Sequence, residues 1–135
     1  MNILFICKYN RFRSKVAEAY FNKINLNLKI RAKSAGIILD KSPENKVEIN
    51  AAKSTGININ QEFQGISTGL LEWADRIIIV ADDVPQRIFK TNKGYDKKIL
   101  LWKITDNHGS KKENLERIIN LIIKKVEKLV NTKSF

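Results

Sequence analysis

Cysteine, histidine and methionine each occur once in these 135 residues, and proline occurs only twice. A single cysteine cannot form an internal disulfide, which fits a reducing compartment. With His108 the only histidine, neither a Cys-rich zinc site nor another N/S metal cluster is expected, and no cofactor is implied. No apolar run reaches the ~18 residues of a membrane span, so no membrane partner is expected. Residues 3–7 are apolar but too short for a signal-peptide core, and no basic side chain precedes them. The expectation is a cytoplasmic protein. The chain also lacks internal repeats, low-complexity stretches and linkers, and its length suffices for one domain, 1–135, with a core that needs no staples.

Acidic residues are few beside basic ones, 14 against 25, for a net charge of +11. The cations are spread along the whole length and no RNA- or DNA-binding motif accompanies them. A basic surface serves a phosphate-bearing substrate equally well. Nucleic acid is therefore not the expected partner.

What is present is an alternation of strand and helix patterns. Residues 2–6 form a continuous apolar run, as in a strand covered on both faces. Val16, Ala17, Ala19, Tyr20 and Ile24 follow helical spacing from Ser14 to Ile24. Leu28 to Ala35 reads as a second strand. Ser42-Pro43-Glu44 reads as a helix start, with Pro43 at the first helical position and an end near Gly56. A short helix over Thr68–Ala74 leads into a strand over Arg76–Ala81. Asp83 and Gln86 are spaced as a capping box for a helix to about Lys90. Lys98 to Trp102 is the fourth strand. The last helix is expected from Ser110, paired with Glu113 as a second capping box, with its apolar stripe running to Val130.

This order predicts a three-layer α/β fold: a mostly parallel four-stranded sheet with helices on both faces. Ligands bind such sheets beyond the carboxyl ends of the strands. Cys7, Ser34, Asp82, Asp83 and Asp106 all fall at or just past strand ends, so their side chains are expected along one edge.

Between the first strand and first helix lies Cys7-Lys8-Tyr9-Asn10-Arg11-Phe12-Arg13-Ser14. A loop in this position can curl so that backbone N–H groups form an anion nest, to which the helix N-terminus adds its own. Arg13 supplies a planar fork for two phosphate oxygens. An electropositive nest favours a thiolate, which is the nucleophilic form. Ser14 can donate a hydrogen bond to the sulfur, and Asn10 tolerates a left-handed backbone. A buried core cysteine beside a surface arginine is the simpler reading of such a pair. The strand before it, the helix after it and Ser14 favour the anion site.

At these residues the chain resembles the low-molecular-weight protein tyrosine phosphatase family, whose loop has the form Cys-x5-Arg-Ser. The resemblance extends through Ala17-Glu18, Ser34-Ala35-Gly36, Ala51 to Ile57, Trp73-Ala74-Asp75, Asp82 and the long final helix. It implies a phosphate-binding loop after the first strand and hydrolysis of phosphomonoesters, such as protein phosphotyrosine, through a phosphocysteine intermediate. By resemblance the catalytic roles fall on Cys7, Arg13 and Asp106. Lys8, Tyr9, Asn10, Arg11, Phe12 and Ser14 fall around the substrate phosphate, with Ser34 bracing Asn10 and Asp82 in support. The implied partners are a phosphorylated protein or small phosphomonoester, and phosphate or another tetrahedral oxyanion.

The chain departs from the family pattern in places. Lys8, Tyr9 and Arg11 replace small or apolar residues, and two added cations beside the anion site favour a highly charged substrate. Asn107 stands where proline usually follows the acid, which leaves Asp82 a rival to Asp106 as proton donor. No tryptophan or tyrosine occurs between residues 37 and 60, where the family often carries an aromatic wall. His108 reads as a solvated loop residue. Two alternatives remain: arsenate reduction, which would need an external thiol, and an anion- or phosphoprotein-binding module without turnover.

Overall fold

The computed structural model describes residues 1–106 and 111–135. Four strands, β1 (Asn2–Cys7), β2 (Arg31–Gly36), β3 (Arg76–Val80) and β4 (Ile99–Trp102), form one sheet in the order β2-β1-β3-β4, with every pairing parallel. The helices are α1 (Arg13–Ile24), α2 (Lys46–Ser54), α3 (Thr68–Trp73) and α4 (Lys112–Thr132). Two 3₁₀ turns, Gln86–Phe89 and Tyr95–Lys98, complete the connection from β3 to β4.

The sheet is central because its strands are apolar on both faces. Alternate residues of a strand point to opposite sides. Ile3 and Phe5 of β1, with Ile78 and Val80 of β3, pack against Val16, Ala17 and Phe21 of α1 and the inner stripe of α4. Leu4 and Ile6, with Ile77 and Ile79, pack on the other side against Leu70 and Leu71 of α3 and against Phe89 and Tyr95. Phe5 anchors the first layer, with ring centroids 6.1 Å from Phe21 and 5.9 Å from Trp102. Each such fully buried side chain contributes about 1.5–3 kcal/mol through burial. No described helix is long and apolar enough to cross a membrane.

Several boundaries differ from the pattern-based expectation. The second strand begins at Arg31, not Leu28, because Asn25 and Asn27 fold the chain back. The Asn25 carboxamide oxygen accepts from the Asn27 N–H (3.1 Å) and that of Asn27 from the Lys29 N–H (3.0 Å). Helix α2 begins at Lys46, not at Pro43, since the Asn45 side chain caps it by accepting from the Glu48 N–H at 3.2 Å. The segment after Asp83 forms only a single 3₁₀ turn, because the Asp83 carboxylate, expected as a helix cap, pairs with Arg13 instead. Ser110 and His108 lie outside the described residues. Helix α4 is described from Lys112.

Candidate active site

Where β1 ends, Cys7 lies against Gly36 in the register of β2, and the chain turns through residues 8–12 into α1. The turn is possible because Asn10 adopts φ +54°, the left-handed region that asparagine tolerates. Gly36 must be glycine for a different reason. A Cβ there would sit 2.8 Å from both Cβ and N of Asn10, so β2 passes directly against the loop.

A directional hydrogen-bond chain supports the sulfur. Asn10 Nδ2 donates both its protons, to Ser14 Oγ (2.8 Å) and to Ser34 Oγ (3.0 Å). The Ser34 hydroxyl in turn donates a hydrogen bond to Glu18 Oε1 at 2.7 Å. Ser14 Oγ, accepting from Asn10, lies 3.0 Å from Cys7 Sγ with its hydroxyl proton available to the sulfur. On its other side Asn10 Oδ1 accepts from the Gln64 N–H at 3.0 Å. Asn10 and Ser14 are fully buried and Cys7 nearly so, and in such surroundings a satisfied network is worth more than in water. Glu18, which ends the chain, has a local signal only in its place beside Ala17 on α1.

Replacing Asn10 by alanine removes these bonds and leaves a Cβ residue at positive φ. Urea unfolding is expected to show a loss of about 2–4 kcal/mol. Asn10→Gly keeps the backbone geometry, so it isolates the hydrogen-bond share and is expected to lose less.

Arg13, 2% exposed, enters the same corner from the first turn of α1. Its Nη1 donates to the Ile104 carbonyl (2.9 Å), and its Nη2 donates to Asp83 Oδ1 (3.0 Å) and Oδ2 (3.2 Å). Asp106 Oδ2 lies 3.8 Å from Nη2, and Asp82 Oδ1 lies 3.9 Å from Nη1. Asp82 also accepts from the Thr105 hydroxyl at 2.9 Å. A guanidinium has five N–H donors, more than Ile104 and Asp83 engage, so it can be anchored by the protein and still grip an anion. Asp83 is therefore the nearest acidic partner of Arg13, a pairing the sequence reading did not anticipate, since it weighed Asp82 and Asp106 only as rival proton donors. Its spacing to Gln86 resembled a capping box and disguised it.

These groups open onto a cleft of about 270 Å³ lined by Cys7, Tyr9, Arg11, Arg13 and Asp106 on or near the loop side. Its far wall comprises Asp40, Ser42, Pro43 and Asn45, with Glu48 of α2. Asp82 is not among the lining residues. Phe12 lines the cleft but its ring belongs to the core beneath. Lys8 does not line it, and its ammonium lies over the Tyr9 ring at 5.1 Å. Arg11, expected as a cation facing the substrate anion, donates instead to wall carbonyls and to Gln61.

The wall is acidic. Burial pushes the Glu48 carboxyl above the ordinary glutamate range, with the Gln61 hydrogen bond opposing it and the charge of Asp106 adding to the rise. Hydrogen bonds from Ser42 hold the Asp40 carboxyl below its usual value. Among the described residues no group of histidine, cysteine, aspartate and glutamate side chains is arranged to hold a metal ion.

The fold and this cleft place the molecule in the class of cysteine-based phosphatases. The family model described as low molecular weight phosphotyrosine protein phosphatase matches residues 2–134, and the chain belongs to that family. It is 29% identical over 116 residues to a protein-arginine-phosphatase of Bacillus subtilis (strain 168), covering 81% of this chain and 76% of that one. A solved YwlE arginine phosphatase, a cysteine-to-serine mutant with a phosphorylated active-site serine, superposes with a TM-score of 0.85 at 20% identity, over 98% of this chain and 95% of that one. Vibrio vulnificus Wzb in complex with benzylphosphonate superposes with a TM-score of 0.81 at 21% identity, over 97% of each chain.

Proposed function

We propose that this protein dephosphorylates phosphorylated protein side chains through a phosphocysteine intermediate, and that phosphoarginine is its substrate. In the first step Cys7 sulfur attacks phosphorus while the bond to the leaving nitrogen breaks, and Asp106 protonates that nitrogen. In the second step water attacks the phosphocysteine, Asp106 takes its proton, and Cys7 departs as a thiolate that accepts the Ser14 hydrogen bond. Phosphate is released and the enzyme returns to its starting protonation state. Such a division needs one group that first gives and then takes a proton. Asp106 is preferred over Asp82 for this role because it lines the cleft together with Cys7.

The observation that carries the substrate assignment is the acidic far wall. Asp40 and Glu48 line the side of the cleft facing Cys7 and Arg13. A phosphate bearing a guanidinium puts its anion in the loop and its N–H donors toward carboxylates, whereas a phenyl ring packs against the wall but offers those carboxylates no donor. The protein-arginine-phosphatase relative supports the same reading.

The test compares phosphoarginine and phosphotyrosine peptides of one sequence. The wild type is expected to prefer phosphoarginine in kcat/KM. Glu48→Gln is expected to reduce that preference about tenfold or more, the scale of one charge-assisted hydrogen bond. A wild type that prefers phosphotyrosine would sink the substrate assignment and leave the phosphocysteine chemistry standing.

A further inference from the structure

Arg11 is a loop residue whose side chain does not turn toward the anion nest. Its Nη1 donates to the Ser42 carbonyl at 3.0 Å and reaches the Asp40 carbonyl at 3.4 Å. Its Nη2 donates to the Pro43 carbonyl at 2.6 Å and to Gln61 Oε1 at 3.1 Å. The three carbonyl recipients lie in residues 39–45, which form neither helix nor strand. A planar fork is suited to bridging several carbonyls at once, which a lysine ammonium cannot match.

Behind this contact sits Gln61, 8% exposed, with its amide fully engaged. Its Oε1 accepts from Arg11 and from the Asn45 N–H at 2.7 Å. Its Nε2 donates to the Arg11 carbonyl at 3.1 Å and to Glu48 Oε1 at 2.8 Å. A flipped amide would set donor against donor at Arg11 and Asn45, so the bonding pattern admits one orientation. One side chain thus ties the loop backbone, the cap of α2 and the carboxylate of Glu48 to the Arg11 guanidinium.

We propose that Arg11, through Gln61, is a specificity-determining positioning residue that straps the far wall of the cleft to the phosphate-binding loop and so fixes the space available beyond the phosphorus. Phosphate itself is held by the loop backbone and Arg13. Whatever extends from phosphorus meets Asp40, Ser42, Pro43 and Glu48, whose positions depend on the strap. The same contact explains why a loop carrying an extra arginine need not bind a more highly charged anion. The inference rests on the loop being a phosphate cradle, but it requires neither turnover nor a particular substrate.

Titration calorimetry on the full chain, with inorganic phosphate and with benzylphosphonate, tests it without catalysis. Phosphate probes the loop, and the phosphonate probes loop and wall together. In Arg11→Met the ratio of the phosphonate dissociation constant to the phosphate one is expected to rise about tenfold, the scale of one or two positioning hydrogen bonds. Gln61→Leu is expected to move the ratio in the same direction. Arg11→Lys, which keeps the charge but not the fork, serves if the methionine variant does not fold.

A parallel loss of both ligands in the Arg11 variants would make Arg11 an anion ligand and overturn the proposal. An unchanged ratio with both affinities intact would overturn it as well. If the wild type binds neither probe, the cradle reading falls and the strap with it. Binding of phosphate by the wild type keeps those two failures apart.

Discussion

Cys7→Ser is expected to reduce turnover of an aryl phosphate or a phosphoarginine peptide by about 10⁴-fold or more, the scale seen when a nucleophile acting as part of a unit is removed. A hydroxyl in this position is a far weaker nucleophile than a thiolate, although the loop N–H groups and Arg13 would remain to hold the anion. The variant should therefore still bind phosphate, by calorimetry, with affinity near that of the wild type. Slow phosphoryl transfer to the new hydroxyl is the corollary, because a phosphorylated serine has no good leaving oxygen for the second step. Intact-mass measurement after long incubation with substrate should then find phosphoserine at position 7. Full activity of Cys7→Ser would end the phosphocysteine mechanism.

Asp106→Asn is expected to lower kcat by about 10²–10⁴-fold for substrates with poor leaving groups, the range that positioned proton transfer contributes. An activated aryl phosphate leaves without protonation, so its first step should be largely restored. Nucleophilic release from the phosphoenzyme then becomes limiting, and pre-steady-state kinetics should show a burst in the variant. Asp106 is suited to this because it lines the cleft with Cys7 while lying 3.8 Å from Arg13 Nη2, close to the transferring group yet not its tightest ion pair. Asp82 faces Thr105 and the edge of Arg13. If Asp82→Asn alone produces the leaving-group dependence, the two roles are exchanged.

The elements that sequence patterning placed well are those in which neighbouring residues decide the outcome. The continuous apolar runs at 2–6 and 77–80 became β1 and β3 at the centre of the sheet, because strands apolar on both sides are stable only when helices cover both. The helical stripe of α4, from Leu115 to Leu129, is buried as its spacing required. The misplaced starts have one origin. Asn45, Asn25 and Asn27 used their side chains to terminate or begin elements, and each asparagine was one of several equally plausible local candidates. Asp83 shows the limit most clearly. Its cap-like spacing to Gln86 was real, but an arginine 70 residues away competes for the same carboxylate.

By itself, then, the sequence determined which groups meet in the loop after β1. A lone thiol at a strand end, five residues, an arginine and a serine at a helix start are contiguous, and contiguous residues meet by local backbone geometry alone. Tertiary structure decided the rest of the site. It brought Ile104 to Arg13 across 91 positions and Gln61 to Arg11 across 50, turned the Arg11 guanidinium onto the Ser42 and Pro43 carbonyls, and set Glu48 in the cleft. Those pairings depend on where parallel crossovers return the chain, which no spacing within a single element encodes.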